Sequence, residues 1–173
     1  MKIITTPMCE EVVKLAGIKD YVVNKNPDLE DGDLAILLSV SKVKMDSLPI
    51  KLNTSRQLFE SIREVSKLTA HELSDSEILE FFEGYDLCVK YLKDYSNPQV
   101  KVKVLSIFLT DIVENIGFEI TDENYDYIIY PDYLKENVQN DEVMLVEIPS
   151  HTSVSKNPFE RIQARYAILE KLI

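Results

Sequence analysis

Two cysteines and two histidines are the side chains of this 173-residue chain best suited to nucleophilic or metal chemistry. Cys9 follows Thr6-Pro7, which reads as an N-cap and a proline at the first helical position. That spacing predicts a thiol in the first helical turn, where the helix dipole lowers its pKa. A thiolate there would serve as a nucleophile, a redox thiol or a soft metal ligand. The same position equally suits a small residue packed beneath a strand. His151 follows the apolar run ending at Ile148-Pro149 and would pair with Cys9 as thiol and imidazole. No third group to orient them is identifiable.

Cys88 lies among Tyr85, Val89 and Leu92 and reads as core, whereas His71 sits in a polar stretch and reads as surface. Two histidines and two distant cysteines make no zinc motif. Gly17, Gly32, Gly84 and Gly117 are too scattered for a phosphate loop, and no serine-hydrolase elbow is present. The acidic residues Glu123, Asp126, Asp132, Glu136, Asp141 and Glu142 fit no calcium loop and read as a solvated face. Tyr125, Tyr127, Tyr130 and Tyr133 suit strand packing, an aromatic pocket or an interface.

A different set of candidates lies at the ends of predicted strands. Thr5 and Thr6, Ser39 and Ser41, Asn53 and Thr54, and Ser150 and His151 are small or polar residues at such ends. Open α/β sheets bind ligands beyond the carboxyl ends of their strands. Helix caps and turns use the same residue types, so each cluster alone has a structural reading too.

The elements that would position these residues follow from periodicity. Lys2 to Thr5, Asp20 to Val23, Leu34 to Leu38 and Ile50 to Leu52 read as strands, the third a continuous apolar run typical of a buried parallel strand. Leu58, Ile62 and Val65 fall at helical spacing. Ser74 and Glu77 form a capping box opening a helix that the apolar spacing carries to Tyr95, roughly 30 Å long. Val100 to Val104 alternates as a strand, although Val102, Leu105, Leu109, Ile112 and Ile116 also make a helical stripe; strand followed by helix is the preferred reading. Tyr125 to Tyr130 and Val143 to Ile148 are further strands. A last helix begins at Asn157-Pro158 and carries Phe159, Ile162, Tyr166 and Leu169 on one face. Glu11 to Ile18 aligns with Asp111 to Phe118, each a helix end closed by glycine, which suggests an internal repeat.

The expected fold is therefore α/β: two small Rossmann-like lobes with parallel sheets, residues 1–72 and 98–173, joined by a long helix over 73–97. Thirty acidic against nineteen basic residues leave a net charge of −11, which opposes phosphate-backbone binding, so no nucleic-acid partner is expected. No run approaches the ~20 apolar residues of a membrane helix. Sparse, unpaired cysteine usage suits a reducing compartment, and a cytoplasmic location is expected.

The first third, with its strand, Thr6-Pro7 turn, helix closed at Gly17 and strand leading to Asn53-Thr54-Ser55, resembles class III periplasmic binding proteins, the receptors for cobalamin, haem and siderophores. The chain departs from them in being shorter and in showing no export signal. The opening Met1 to Glu11, and Pro149 to Thr152 with Asn157 to Arg161, are similar to the methanogenesis marker proteins, nearest the fifth marker family. That resemblance implies an archaeal cytoplasm and cofactor handling or enzyme maturation, and it brings no catalytic residues. The leading expectation is a non-catalytic binding or accessory protein for a small-molecule cofactor (a tetrapyrrole or corrinoid) or a protein partner. The alternatives are a thiol-dependent enzyme or redox partner using Cys9 and His151, and a structural subunit, as a homo-oligomer or in a larger complex.

Overall fold

The computed structural model describes residues 1–140, 142–150 and 154–173. The chain divides into two units, Met1–Leu52 with Arg56–Glu83 and Lys156–Pro158, and Asn53–Ser55 with Gly84–Ser155 and Phe159–Ile173.

The first unit is built on four parallel strands, β1 (Ile3–Thr5), β2 (Tyr21–Val23), β3 (Leu34–Leu38) and β4 (Ser47–Ile50), in the order β2-β1-β3-β4. Ile3 pairs with Tyr21 on one side and Leu34 on the other, so β1 is central. Its three residues and Ala35, Ile36 and Leu37 of β3 are buried, as two-sided burial of a parallel sheet demands. β4 starts three residues before the expected Ile50 to Leu52 strand, because its register sets Ser47 against Ala35 and Ile50 against Leu38. As an edge strand it tolerates Pro49, which donates no hydrogen bond.

Between β1 and β2 runs α1 (Glu10–Leu15), and after β4 comes α2 (Ser55–Ser66). Leu58, Ile62 and Val65 are fully buried, as their spacing predicts. The start of α1 differs from expectation. A turn at Pro7-Met8 comes first, closed by the Cys9 and Glu10 N–H groups donating to the Thr6 carbonyl at 3.0 Å. Cys9 rather than Thr6 is therefore the N-cap.

The long helix over 73–97 does not exist as one element. The Ser74–Glu77 capping box is present and opens α3, which spans only Asp75–Glu80. Phe81, Phe82 and Glu83 then donate to the carbonyls three residues back, a tightening that ends the helix. Gly84 enters the left-handed region at φ 85°, and a second short helix, α4 (Asp86–Lys90), starts afterwards. Competing packing explains the break. Phe82 lies against Phe59 in the first unit, whereas Tyr85 stacks on Phe159 in the second, with centroids 5.1 Å apart.

The second unit repeats the first in topology. β5 (Asn97–Val104), β6 (Phe118–Ile120), β7 (Tyr127–Pro131) and β8 (Met144–Ile148) form a parallel sheet ordered β6-β5-β7-β8. The 100–104 segment is strand, and the helical stripe begins later as α5 (Ile107–Ile116), packed on β5, β6 and β7. Gly17 and Gly117, aligned in the sequence repeat, share a left-handed φ of 88° and 86° at the two equivalent helix ends. The last helix, α6 (Pro158–Leu169), buries Phe159, Ile162, Tyr166 and Leu169. Its Gln163 side chain accepts from the Leu87 and Cys88 N–H groups at the opening of α4, at 3.1 and 3.4 Å.

Candidate functional site

In both sheets the chain first moves to one side of the leading strand and then returns to the other. The topological switch points therefore fall between β1 and β3 and between β5 and β7, where open α/β sheets form ligand crevices.

At the switch point of the first unit, Thr5 ends β1 and Thr6 follows it, while Ser39 and Ser41 follow β3, so the sheet brings these four candidates to one edge. Their availability differs. Thr5 is fully buried and its hydroxyl donates to the Ile36 carbonyl at 2.9 Å, bridging β1 to β3. Thr6 is half-buried, whereas Ser39 and Ser41 are exposed around a turn whose tip, Val40, is 82% exposed. Asn53 and Thr54 belong by their contacts to the second unit, where Asn53 Nδ2 donates to Asp111 Oδ2 at 3.1 Å. Thr54 and Ser150 are buried. His151, and with it the expected Cys9–His151 pair, lies outside the described residues.

Cys9 is fully buried at the N-cap of a six-residue helix. Cys88 is also buried, and loss of solvation pushes its thiol up to about 11. His71 is exposed and its Nε2 lies 2.9 Å from Glu77 Oε1, the surface role its polar neighbours predict. Among the described residues no three of His, Cys, Asp or Glu gather as a metal-holding group.

Apart from Tyr133, one of the four clustered tyrosines, the switch point of the second unit uses residues that sequence reasoning did not single out. The Leu105 N–H donates to the Ile129 carbonyl at 3.0 Å, continuing the pairing of β5 with β7 one step past the strand. Beyond it the hydroxyls of Ser106 and Tyr133 lie 3.2 Å apart. Ile107 is 88% exposed and Tyr133 60%, so an apolar side chain and an aromatic ring stand in solvent at this edge. Behind them, on α6, are two buried arginines. Arg165 Nε donates to the Pro149 carbonyl at 3.1 Å, and its guanidinium lies 5.3 Å from the centre of the Phe108 ring. Arg161 Nη1 donates to the Ser155 carbonyl at 3.4 Å. The available signal was the spacing: Arg161 and Arg165, four apart, each directly precede a residue of the apolar stripe, Ile162 and Tyr166.

No protein-family model and no curated protein sequence matches the chain. Solved structures do. The laminin-binding protein Lbp of Streptococcus pyogenes matches with a TM-score of 0.58 and 12% identity over 98% of this chain and 97% of that one. The Mn-bound periplasmic metal-binding protein from Candidatus Liberibacter asiaticus matches at 0.62 and 8% identity over the whole of both chains. The periplasmic vitamin B12-binding protein BtuF of Vibrio cholerae matches at 0.51 and 13% identity, over 99% of this chain and 94% of that one. The chain has a class III periplasmic-binding-protein-like fold. At these identities the likeness concerns the fold, and the side chains at the strand ends are this protein's own.

Proposed function

We propose that this chain is a non-catalytic binding protein that takes a small organic ligand at the carboxyl edges of its sheets. The observation that carries the reading is the second switch point, where Ser106, Ile107 and Tyr133 present two hydroxyls, an aliphatic side chain and an aromatic ring to solvent. Ligand sites combine apolar surface with a few placed polar groups in this way. The exposed Ser39-Val40-Ser41 turn offers a similar mixture at the switch point of the first unit. The fold supports the reading too, since its solved neighbours include proteins named for binding manganese and vitamin B12. A mixed apolar and hydroxyl surface suits a tetrapyrrole or corrinoid better than a bare cation, which needs several convergent ligands.

No family model supports the resemblance of Met1 to Glu11, Pro149 to Thr152 and Asn157 to Arg161 to methanogenesis marker proteins; on that sequence resemblance alone we extend the proposal to a cytoplasmic role in cofactor handling or enzyme maturation. Sparse cysteine usage supports that compartment. Among the described residues no helix is long and apolar enough to cross a membrane.

Thermal unfolding of the pure protein with corrinoid and nickel-tetrapyrrole cofactors tests the proposal. A ligand at a hundred times its dissociation constant adds about 2.7 kcal/mol to stability. Absence of any shift with these cofactors overturns the tetrapyrrole reading.

A further inference from the structure

A small cavity lies on the outer edge of the first sheet, apart from the switch point between β1 and β3. β4 closes the order β2-β1-β3-β4, so only one of its sides is paired. The Ala35 and Ser39 N–H groups, in and just after β3, donate to the Asp46 and Ile50 carbonyls, both at 2.9 Å. Alternation along the parallel ladder then turns the backbone of Ser47, Pro49 and Lys51 outward. Beside this edge runs α2, whose Ser61 hydroxyl donates to the Lys51 carbonyl at 2.9 Å. Ser61 is buried, so that bond fixes strand and helix against each other.

Between these two walls opens a cavity of about 200 Å³. Drug-sized ligands occupy roughly 300 Å³ and more, so this space suits a molecule the size of a single amino acid. Leu48, Pro49 and Ile50 give it an apolar side that ends at Lys51. From α2 come Gln57, Glu60, Ser61 and Glu64. Their spacing sets them on one helix face, beside the stripe of Leu58, Ile62 and Val65 that meets the core.

The charges around this cavity are only partly used. Glu64 already holds Lys67 Nζ, at 2.6 Å. Lys51 and Glu60 are exposed and enter no ion pair among the described residues, with each other or with a third group. One ammonium and one carboxylate thus stand unmatched on the strand wall and the helix wall of a small, partly apolar space. We propose that the cavity binds a small zwitterion, an α-amino acid with an aliphatic side chain. Lys51 receives the ligand's carboxylate, with its outward N–H as a second donor, and Glu60 receives the ligand's ammonium. The aliphatic part lies along Leu48 and Pro49, where it leaves water. A ligand of single charge would leave one of the two groups unanswered. The inference goes beyond the proposed cofactor binding and does not depend on it.

Titration calorimetry and melting curves of the full chain test the site with L-leucine, L-isoleucine and L-valine. Each is compared with the carboxylic acid that lacks its ammonium and the amine that lacks its carboxylate. At least one amino acid is expected to bind, and its two half-ligands to bind about tenfold more weakly, the loss of one charge-assisted contact. Lys51→Met and Glu60→Gln alter exposed side chains and should melt as wild type does. Lys51→Met should weaken the amino acid about tenfold and leave the amine unaffected. Glu60→Gln should weaken the amino acid to a similar degree and leave the carboxylic acid unaffected.

Neither heat nor a rise in Tm with any of the three amino acids overturns the proposal. A half-ligand that binds wild type as tightly as its amino acid does so as well, because the pairing of opposite charges then contributes nothing. Unchanged amino-acid affinity in either variant removes that residue's assigned partner and overturns the site as drawn. Cofactor binding at the switch points is read by its own titrations, so either reading can fail while the other stands.

Discussion

Ser106 Oγ and the Tyr133 hydroxyl lie 3.2 Å apart, joining the N-cap of α5, just past β5, to the turn that follows β7. This contact spans the switch point of the second sheet, and both partners can turn their hydroxyls toward an incoming ligand. Tyr133 is 60% exposed, so Tyr133→Ala should change stability by no more than about 0.5 kcal/mol. Loss of the ring should weaken a bound corrinoid or tetrapyrrole by about 1 kcal/mol. Titration calorimetry beside a melting curve separates the two effects, and unaltered affinity removes Tyr133 from the site.

The Ser74–Glu77 capping box makes a pH prediction. Interaction with His71, then the Ser74 N–H at 2.8 Å and the Ser74 hydroxyl at 2.7 Å, hold the Glu77 carboxyl down at about 2. A depressed folded pKa contributes stability that is complete above the ordinary value near 4.5 and disappears as pH falls through about 2. Glu77→Gln should therefore lose less stability than wild type on acidification through that window. Ser74→Ala should cost about 1 kcal/mol at neutral pH, the usual value of an N-cap. Chemical denaturation across the acid range measures both.

Gly17 and Gly117 are equivalent in the repeat and in φ, yet their surroundings differ. A Cβ at Gly17 meets nothing within 4 Å, whereas one at Gly117 lands on the Tyr95 carbonyl and Ser96. Gly17→Ala should cost about 1–2 kcal/mol, the conformational penalty alone. Gly117→Ala should cost distinctly more, because backbone must also move. Equal losses in urea denaturation would contradict the close approach at Gly117.

Burial at Cys9 and Cys88 predicts slow labelling. At about pH 8 a maleimide should modify neither thiol quickly in the folded protein, and both should react once denaturant opens the chain. Mass spectrometry of the peptides assigns each site. Rapid native labelling of Cys9 would restore the thiol-dependent alternative.

Tyr166 connects Ser55, Tyr91 and Asn115, all residues of the second unit. Its hydroxyl donates to Asn115 Oδ1 and accepts from the Ser55 N–H at 3.3 Å, while its ring stacks on Tyr91 with centroids 4.3 Å apart. Tyr166→Phe keeps the stack and leaves both polar partners buried without it, which should cost about 1–3 kcal/mol. Equilibrium unfolding checks the value.

Patterns of near neighbours were enough to determine much of this architecture. The apolar run Leu34 to Leu38 is strand β3 to the residue, the capping box opens α3 where Ser74 and Glu77 place it, and the stripe from Phe159 to Leu169 is the buried face of α6. Each depends on residues a few positions apart, and local backbone geometry is the same wherever the segment sits. The strand-end rule likewise brought Thr5, Thr6, Ser39 and Ser41 to one edge, because a parallel sheet aligns its carboxyl ends.

Tertiary structure decided what depends on distant partners. The apolar spacing from Ile78 to Leu92 is compatible with one helix, but Phe59 and Phe159, respectively 23 residues before and 77 after Phe82, claim the two halves for different units and Gly84 breaks the backbone between them. Thr5 has the side chain of a ligand donor, yet the Ile36 carbonyl takes its hydroxyl once β1 and β3 pair. Arg165 directly precedes the stripe residue Tyr166, a position that by itself leaves its burial open. Only the packing of α6 against the Pro149 carbonyl and the Phe108 ring buries it, because burial is a property of the surroundings that a side chain acquires from the fold.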